Sequence, residues 1–67
     1  MSVVKVIEIM SESPNSWEEA TRLGIEKASK TLKHIKSAFV QSQSVKVDAG
    51  KVTEYRVTLK VSFKLED

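Results

Sequence analysis

Residues 54–67 read EYRVTLKVSFKLED, and the alternation in this run decides the fold. Tyr55, Val57, Leu59, Val61, Phe63 and Leu65 fall on one face, and Glu54, Arg56, Thr58, Lys60, Ser62 and Lys64 on the other. A period of two marks a strand with one buried face. Just upstream stands Asp48-Ala49-Gly50, a turn in which Gly50 is free to take a positive φ. Before the turn, residues 36–47 repeat the period of two with a modest apolar content: Ala38, Val40, Val45 and Val47, plus Phe39. The C-terminal half is therefore a long hairpin.

Further toward the N-terminus the period changes. Trp17, Ala20, Gly24, Ala28, Thr31, Leu32 and Ile35 recur at three- and four-residue steps, which makes one face of a helix. Glu18, Arg22, Glu26 and Lys30 line the opposite face with alternating sign. Ser16 and Glu19 have the spacing of a capping box, in which each side chain satisfies an end amide of the other. Acidic residues open the helix and Lys30 and Lys33 close it, as the macrodipole prefers. Gly24 and Ala28 are small residues on the buried face. A mid-helix glycine costs about 1 kcal/mol against alanine, so its use here points to a close approach of helix and sheet. Ahead of the helix, SESPNS (Ser11–Ser16) reads as a loop, with Pro14 ending strand pairing. Val3 to Met10 is a strand with apolar groups on both faces, which predicts cover on both sides.

The order is β-α-β-β in one domain, residues 1–67. A chain of this size buries only about 60% of its unfolded surface. Small domains make up the deficit with disulfides, metals or oligomerisation. The 67 residues contain no cysteine and a single histidine, His34, which leaves self-association. The lengths agree. Strands of about 12 residues span roughly 40 Å, whereas a helix of about 18 residues spans roughly 27 Å. The helix cannot cover the hairpin, and an uncovered edge is satisfied economically by further copies of the chain.

The formal net charge is +2, with opposite signs interspersed along the chain. Nucleic-acid binding calls for a concentrated basic face, which is missing. No apolar run approaches the ~20 residues that cross a bilayer, and the first ten residues lack the pattern of a signal peptide. A cytoplasmic protein is expected.

Candidate functional residues each have a plain structural counterpart. His34 reads as a cation at the helix C-terminus more readily than as a ligand. Trp17 offers a ring for a planar ligand, but a first aromatic on a helix's apolar face is more often core or subunit contact. Glu8, Glu12, Glu18, Glu19 and Glu26 include carboxylates for calcium, without a D-x-D-x-D-G loop. Lys51, Arg56, Lys60 and Lys64 lie along one face of the last strand; Arg56 is equally suited to a ligand's phosphate or carboxylate and to an ordinary charged edge. No G-x-S-x-G elbow or phosphate-binding glycine loop is present, and nothing supplies a nucleophile, base and orienting group together. An enzyme is not expected.

Lys30–Ile35 (KTLKHI), the closing run Glu54–Asp67, the opening VVKVIEIM and the SPNSWEEA segment, in this order and spacing, resemble the dodecins across the whole chain. The resemblance implies a helix packed on a three-stranded antiparallel sheet (an α+β fold) assembled as a hollow homododecamer that binds and stores flavin, FMN or riboflavin, as its small-molecule ligand. In that family a tryptophan just after the helix stacks the flavin, and a glutamine on the last strand bonds the ring edge. Here the matching positions are Ser37 and Arg56. The aromatic that usually follows the tryptophan is Ala38, and an arginine usual on the second strand is matched by Ser44. Serine has no π face, so the shell is expected without the usual flavin pocket. SPNSWEEA, VDAGKVT (Val47–Thr53) and VSFK (Val61–Lys64) are more similar to the branch described as calcium dodecins, which implies calcium as a ligand, with the metal-binding residues left open.

Overall fold

The computed structural model describes residues 3–65; Met1, Ser2 and the last two residues of the closing run, Glu66 and Asp67, lie outside the described residues. The element order is β1 (Val4–Ser13), α1 (Trp17–Ala28), β2 (Ile35–Asp48) and β3 (Lys51–Lys64). The three strands form one antiparallel sheet in the order β1-β3-β2. The last strand is thus the central one, and its strict alternation is what a strand paired on both sides and covered on one face needs.

Helix α1 lies across one face. Val57, Leu59 and Val61 of β3 are fully buried beneath it with Ala20, and Ile7, Ile9, Trp17, Ile25 and Ile35 pack around them. Gly24 brings the helix down onto β1: a Cβ there would stand 3.0 Å from Ser11 Cβ and 3.4 Å from Leu59 Cδ1. The close approach expected of this glycine is present. Strand β1 runs on to Ser13. Residues 11–13, expected in the loop, pair with Val57, Arg56 and Tyr55. Only Pro14 to Ser16 turn the chain into the helix.

The helix is shorter than its periodicity predicts, 12 residues ending at Ala28. Lys30 N and Thr31 N donate to carbonyls three residues back, at 3.1 Å each, which tightens and ends the last turn. His34 then takes a left-handed conformation, φ 64°, and aims the chain into β2. Ile35, placed on the helix face by spacing, instead pairs with Phe63 in the sheet. His34 therefore lies well beyond the helix terminus and does not serve its dipole. Lys27 is the basic residue in the last turn.

The hairpin behaves as read. Ala49 (φ 51°) and Gly50 (φ 78°) form the tight turn, with Asp48 and Lys51 facing each other across it. Two consecutive left-handed residues match the twist of the flanking strands. The molecule extends 51 Å along its longest axis, whereas a 12-residue helix spans about 18 Å. Val45, Val47 and Val52 near the turn are accordingly exposed on the helix side. The opposite face of β1 is open as well, with Val4, Val6 and Met10 each more than half exposed. The cover predicted on both sides of β1 is not supplied within one chain.

Candidate functional site

The register divides the sheet into a helix face and an open face. On the open face β1 contributes Val6, Glu8, Met10 and Glu12, and β3 sets Ser62, Lys60, Thr58 and Arg56 beside them. β2 completes the rows with Ser37, Phe39, Ser42 and Ser44. All three candidate ligand-binding residues, Ser37, Ser44 and Arg56, are on this face. The structure does not bring them together in one chain. Ser44 faces Arg56, but Ser37 faces Ser62, six residues along β3, which is roughly 20 Å at the rise of a strand.

Each is already engaged locally. Arg56 Nε and Nη2 both donate to Glu12 Oε2, at 2.7 and 2.6 Å, from the neighbouring strand. This ion pair is about one-third exposed, so it fixes side-chain direction more than it stabilises the fold. Glu12 was read only as a carboxylate among several; its register opposite Arg56 gives it this partner. Ser37 Oγ and Ser62 Oγ lie 2.6 Å apart. The Ser44 carbonyl accepts a 2.9 Å hydrogen bond from Trp17 Nε1. Trp17 also meets Tyr55 edge to face, ring centroids 5.2 Å apart. Trp17 thus pins the start of α1 to β2 on the helix side, in its structural role, and offers no ring to the open face.

The charges of the open face alternate across strands. Glu12 faces Arg56, Glu8 faces Lys60, and Glu54 faces Lys46. Opposite charges directly across antiparallel strands are favourable, and they leave the face without a concentrated potential of either sign. Lys64 stands opposite Val4, and Lys51 lies in the hairpin turn.

A second polar cluster closes the β1–α1 turn. Ser16 Oγ accepts from Glu19 N at 2.9 Å, as the capping box requires. The reciprocal half is different. Glu19 Oε2 accepts from Ser13 Oγ (2.5 Å) and Asn15 Nδ2 (2.8 Å), while Ser16 N is directed to Ser13 Oγ at 3.4 Å. Ser13, fully buried, takes the place at the cap that the box gives to the glutamate. Hydrogen bonds from Ser13 and then Asn15, with a smaller contribution from Arg22, hold the Glu19 carboxyl below the usual carboxylate range. Glu18 and Glu26 lie exposed on the helix. Among the described residues no group of three acidic or histidine side chains could hold a metal ion.

A groove of about 350 Å³ beside α1 is lined by Ser11, Glu12, Leu23, Glu26, Lys27 and Lys30, and one of about 300 Å³ adjoins it at Met10 and Gly24. Neither includes Ser37, Ser44 or Arg56. No helix among the described residues is long and apolar enough to cross a membrane.

A family model described as Dodecin matches residues 3–66. The chain is 47% identical over 66 residues to the calcium dodecin of Mycobacterium tuberculosis, covering 97% of this chain and 92% of that protein. The structure of dodecin from Streptomyces coelicolor superposes with a TM-score of 0.94 at 29% identity, covering 98% of this chain and 94% of that one. The crystal structure of calcium dodecin from Mycobacterium tuberculosis, described as a calcium chelating antigen with a novel calcium-binding site, gives a TM-score of 0.85 at 42% identity, with 97% and 93% covered. Matched in sequence over nearly its full length and in backbone at TM-scores of 0.94 and 0.85, the chain belongs to the dodecin family.

Proposed function

We propose that this dodecin is a non-catalytic cytoplasmic protein that assembles as a hollow homododecamer and holds a small ligand between subunits, at the open sheet face around Ser37, Ser44 and Arg56. One observation carries the reading. A single chain leaves its open face and hairpin tip uncovered and parts Ser37 from Ser44 and Arg56 by roughly 20 Å. Neither the core nor the candidate site is complete without another copy. Size-exclusion chromatography with light scattering is expected to give twelve subunits; a monomer at micromolar concentration overturns the reading.

Ser37 supplies no stacking face, and Arg56 is occupied by Glu12. Riboflavin and FMN are therefore expected to bind weakly, read as slight quenching of flavin fluorescence. Restoring the family's aromatic and amide with Ser37→Trp and Arg56→Gln strengthens the quenching if the site is placed correctly.

The 47% identity to a calcium dodecin favours a second reading, in which calcium is the ligand. With no three-ligand cluster among the described residues, this reading draws its carboxylates from more than one copy. Calorimetric titration with calcium and the shift of the melting temperature test this reading, since a ligand that binds only the native state raises stability. No heat and no shift leave the cage without a metal role.

A further inference from the structure

Asn15 is the only asparagine in the sequence, and it stands immediately before a serine. An asparagine followed by a small residue is a chemically labile pair. The backbone nitrogen of the second residue, once it loses its proton, attacks the side-chain carbonyl carbon of the first. A new C–N bond closes a five-membered imide, and the side-chain nitrogen leaves as ammonia. Water then opens the ring at either carbonyl, giving aspartate or, with one extra methylene in the backbone, isoaspartate. No oxidant or reductant takes part. Exposed loops are where such chain chemistry concentrates, and Asn15 is exposed in the short turn between β1 and α1.

The structure ties both reacting groups to other partners. Ser16 N is directed to Ser13 Oγ at 3.4 Å. The Asn15 side chain donates through Nδ2 to Glu19 Oε2 at 2.8 Å, and Asn15 N donates to Ser13 Oγ at 3.0 Å. Ser13 is fully buried and donates in turn to the same Glu19 oxygen. These contacts hold the Glu19 carboxyl below the usual carboxylate range. It is therefore ionised at neutral and mildly alkaline pH, where the attacking amide loses its proton more readily than in acid. For the ring to close, Ser16 N must leave Ser13 and Asn15 Nδ2 must leave Glu19, which is a local opening of the cap.

The products cannot restore the closed cap. Aspartate replaces the donating amide with a second carboxylate beside Glu19, so a hydrogen bond becomes a like-charge contact. Isoaspartate lengthens the backbone between buried Ser13 and the N-cap Ser16, whose Oγ accepts from Glu19 N. Trp17 follows directly, with its bond to the Ser44 carbonyl and its edge-to-face contact with Tyr55. We propose that Asn15 is a modification site, a spontaneous deamidation centre latched by Ser13 and Glu19, which turns an opening of the helix cap into a permanent change of charge at the start of α1.

Intact mass, with peptide mapping that separates aspartate from isoaspartate at position 15, follows the reaction during incubation at mildly alkaline pH. Folded wild type is expected to react about tenfold or more slowly than the same chain unfolded in urea. Ser13→Ala and Glu19→Ala are each expected to speed the folded reaction about tenfold. Val61 is buried opposite Ile7, six residues along β3 from the pairing of Ser13 with Tyr55. Val61→Ala weakens the core away from the cap and is expected to leave the rate near that of wild type. Equal rates in folded and unfolded wild type overturn the proposal. So do unchanged rates in the latch variants, or equal acceleration by Val61→Ala, which assigns the protection to global folding. Where Ser13→Ala does not fold, Glu19→Ala carries the comparison. Asn15→Asp reproduces one product and is expected to melt below wild type, with recovery when Glu19→Gln removes the second charge. A melting temperature unchanged in Asn15→Asp overturns the consequence drawn for the cap.

Discussion

Gly24 has a cost and a reason on the same residue. Alanine there gains helix propensity, but its methyl meets Ser11 Cβ at 3.0 Å and Ser11 Oγ at 3.2 Å. Ser11 Oγ can rotate away, but Ser11 Cβ moves only with its backbone, so helix and strand must give by a few tenths of an ångström. Gly24→Ala is expected to lose about 1–3 kcal/mol, measured by denaturant unfolding at fixed protein concentration. The need for a small residue was legible from its place on the apolar face; the neighbour that enforces it was not, because Ser11 was read as loop. Ser13 was hidden for the same reason. It accepts from Asn15 N and Ser16 N while donating to Glu19. Ser13→Ala leaves these amides without an acceptor and is expected to cost about 1–3 kcal/mol. Glu19 makes the cap pH-sensitive. Its folded-state carboxyl titrates below the ordinary value, so its contribution is present above the unfolded pKa, about 4.3, and is lost as pH falls through the lower folded value. Melting curves across acid pH are expected to show this loss in wild type and a flatter profile in Glu19→Gln.

At the scale of elements, the hairpin and the existence and face of the helix were legible, and the helix's end was not. Thr31, Leu32 and Ile35 keep the helical spacing, yet pairing with Phe63 claims Ile35 for the sheet and His34 reverses the chain. Tertiary pairing overrides local periodicity here. The slip in the register of β2 between Val40 and Ser42 did leave a trace in sequence: the strand's apolar residues are even at Ala38 and Val40 and odd at Val45 and Val47. A change of parity within a strand is the signal of an extra residue between. The turn itself carries a correctable strain. Ala49 holds φ 51°, a conformation that costs a residue with a Cβ about 1–2 kcal/mol and that asparagine tolerates better. Ala49→Asn is expected to raise stability by about 0.5–1 kcal/mol and leave the assembly unchanged, checked by thermal melts alongside light scattering.

For the whole molecule, the mismatch between a 12-residue helix and strands of 14 residues governs behaviour. It was legible in direction, and the shorter helix makes it larger than the periodicity suggests. A fold that leaves Val4, Val6, Met10, Val47 and Val52 exposed is completed by association, so its melting temperature is expected to rise with protein concentration. The proposed ligand residues rest on resemblance alone, because a site divided between copies would leave no spacing to read along one chain. The strand order has a consequence in time. β1 and β2 never touch each other; each is held by β3. During synthesis, everything up to Gly50 emerges with two strands that have no partner and a helix that still lacks Val57, Leu59 and Val61, the buried side chains beneath it. The sheet then closes at once when the final strand arrives. Ribosome-stalled chains halted before Tyr55 should therefore be fully open to protease, and those long enough to expose Lys64 abruptly resistant.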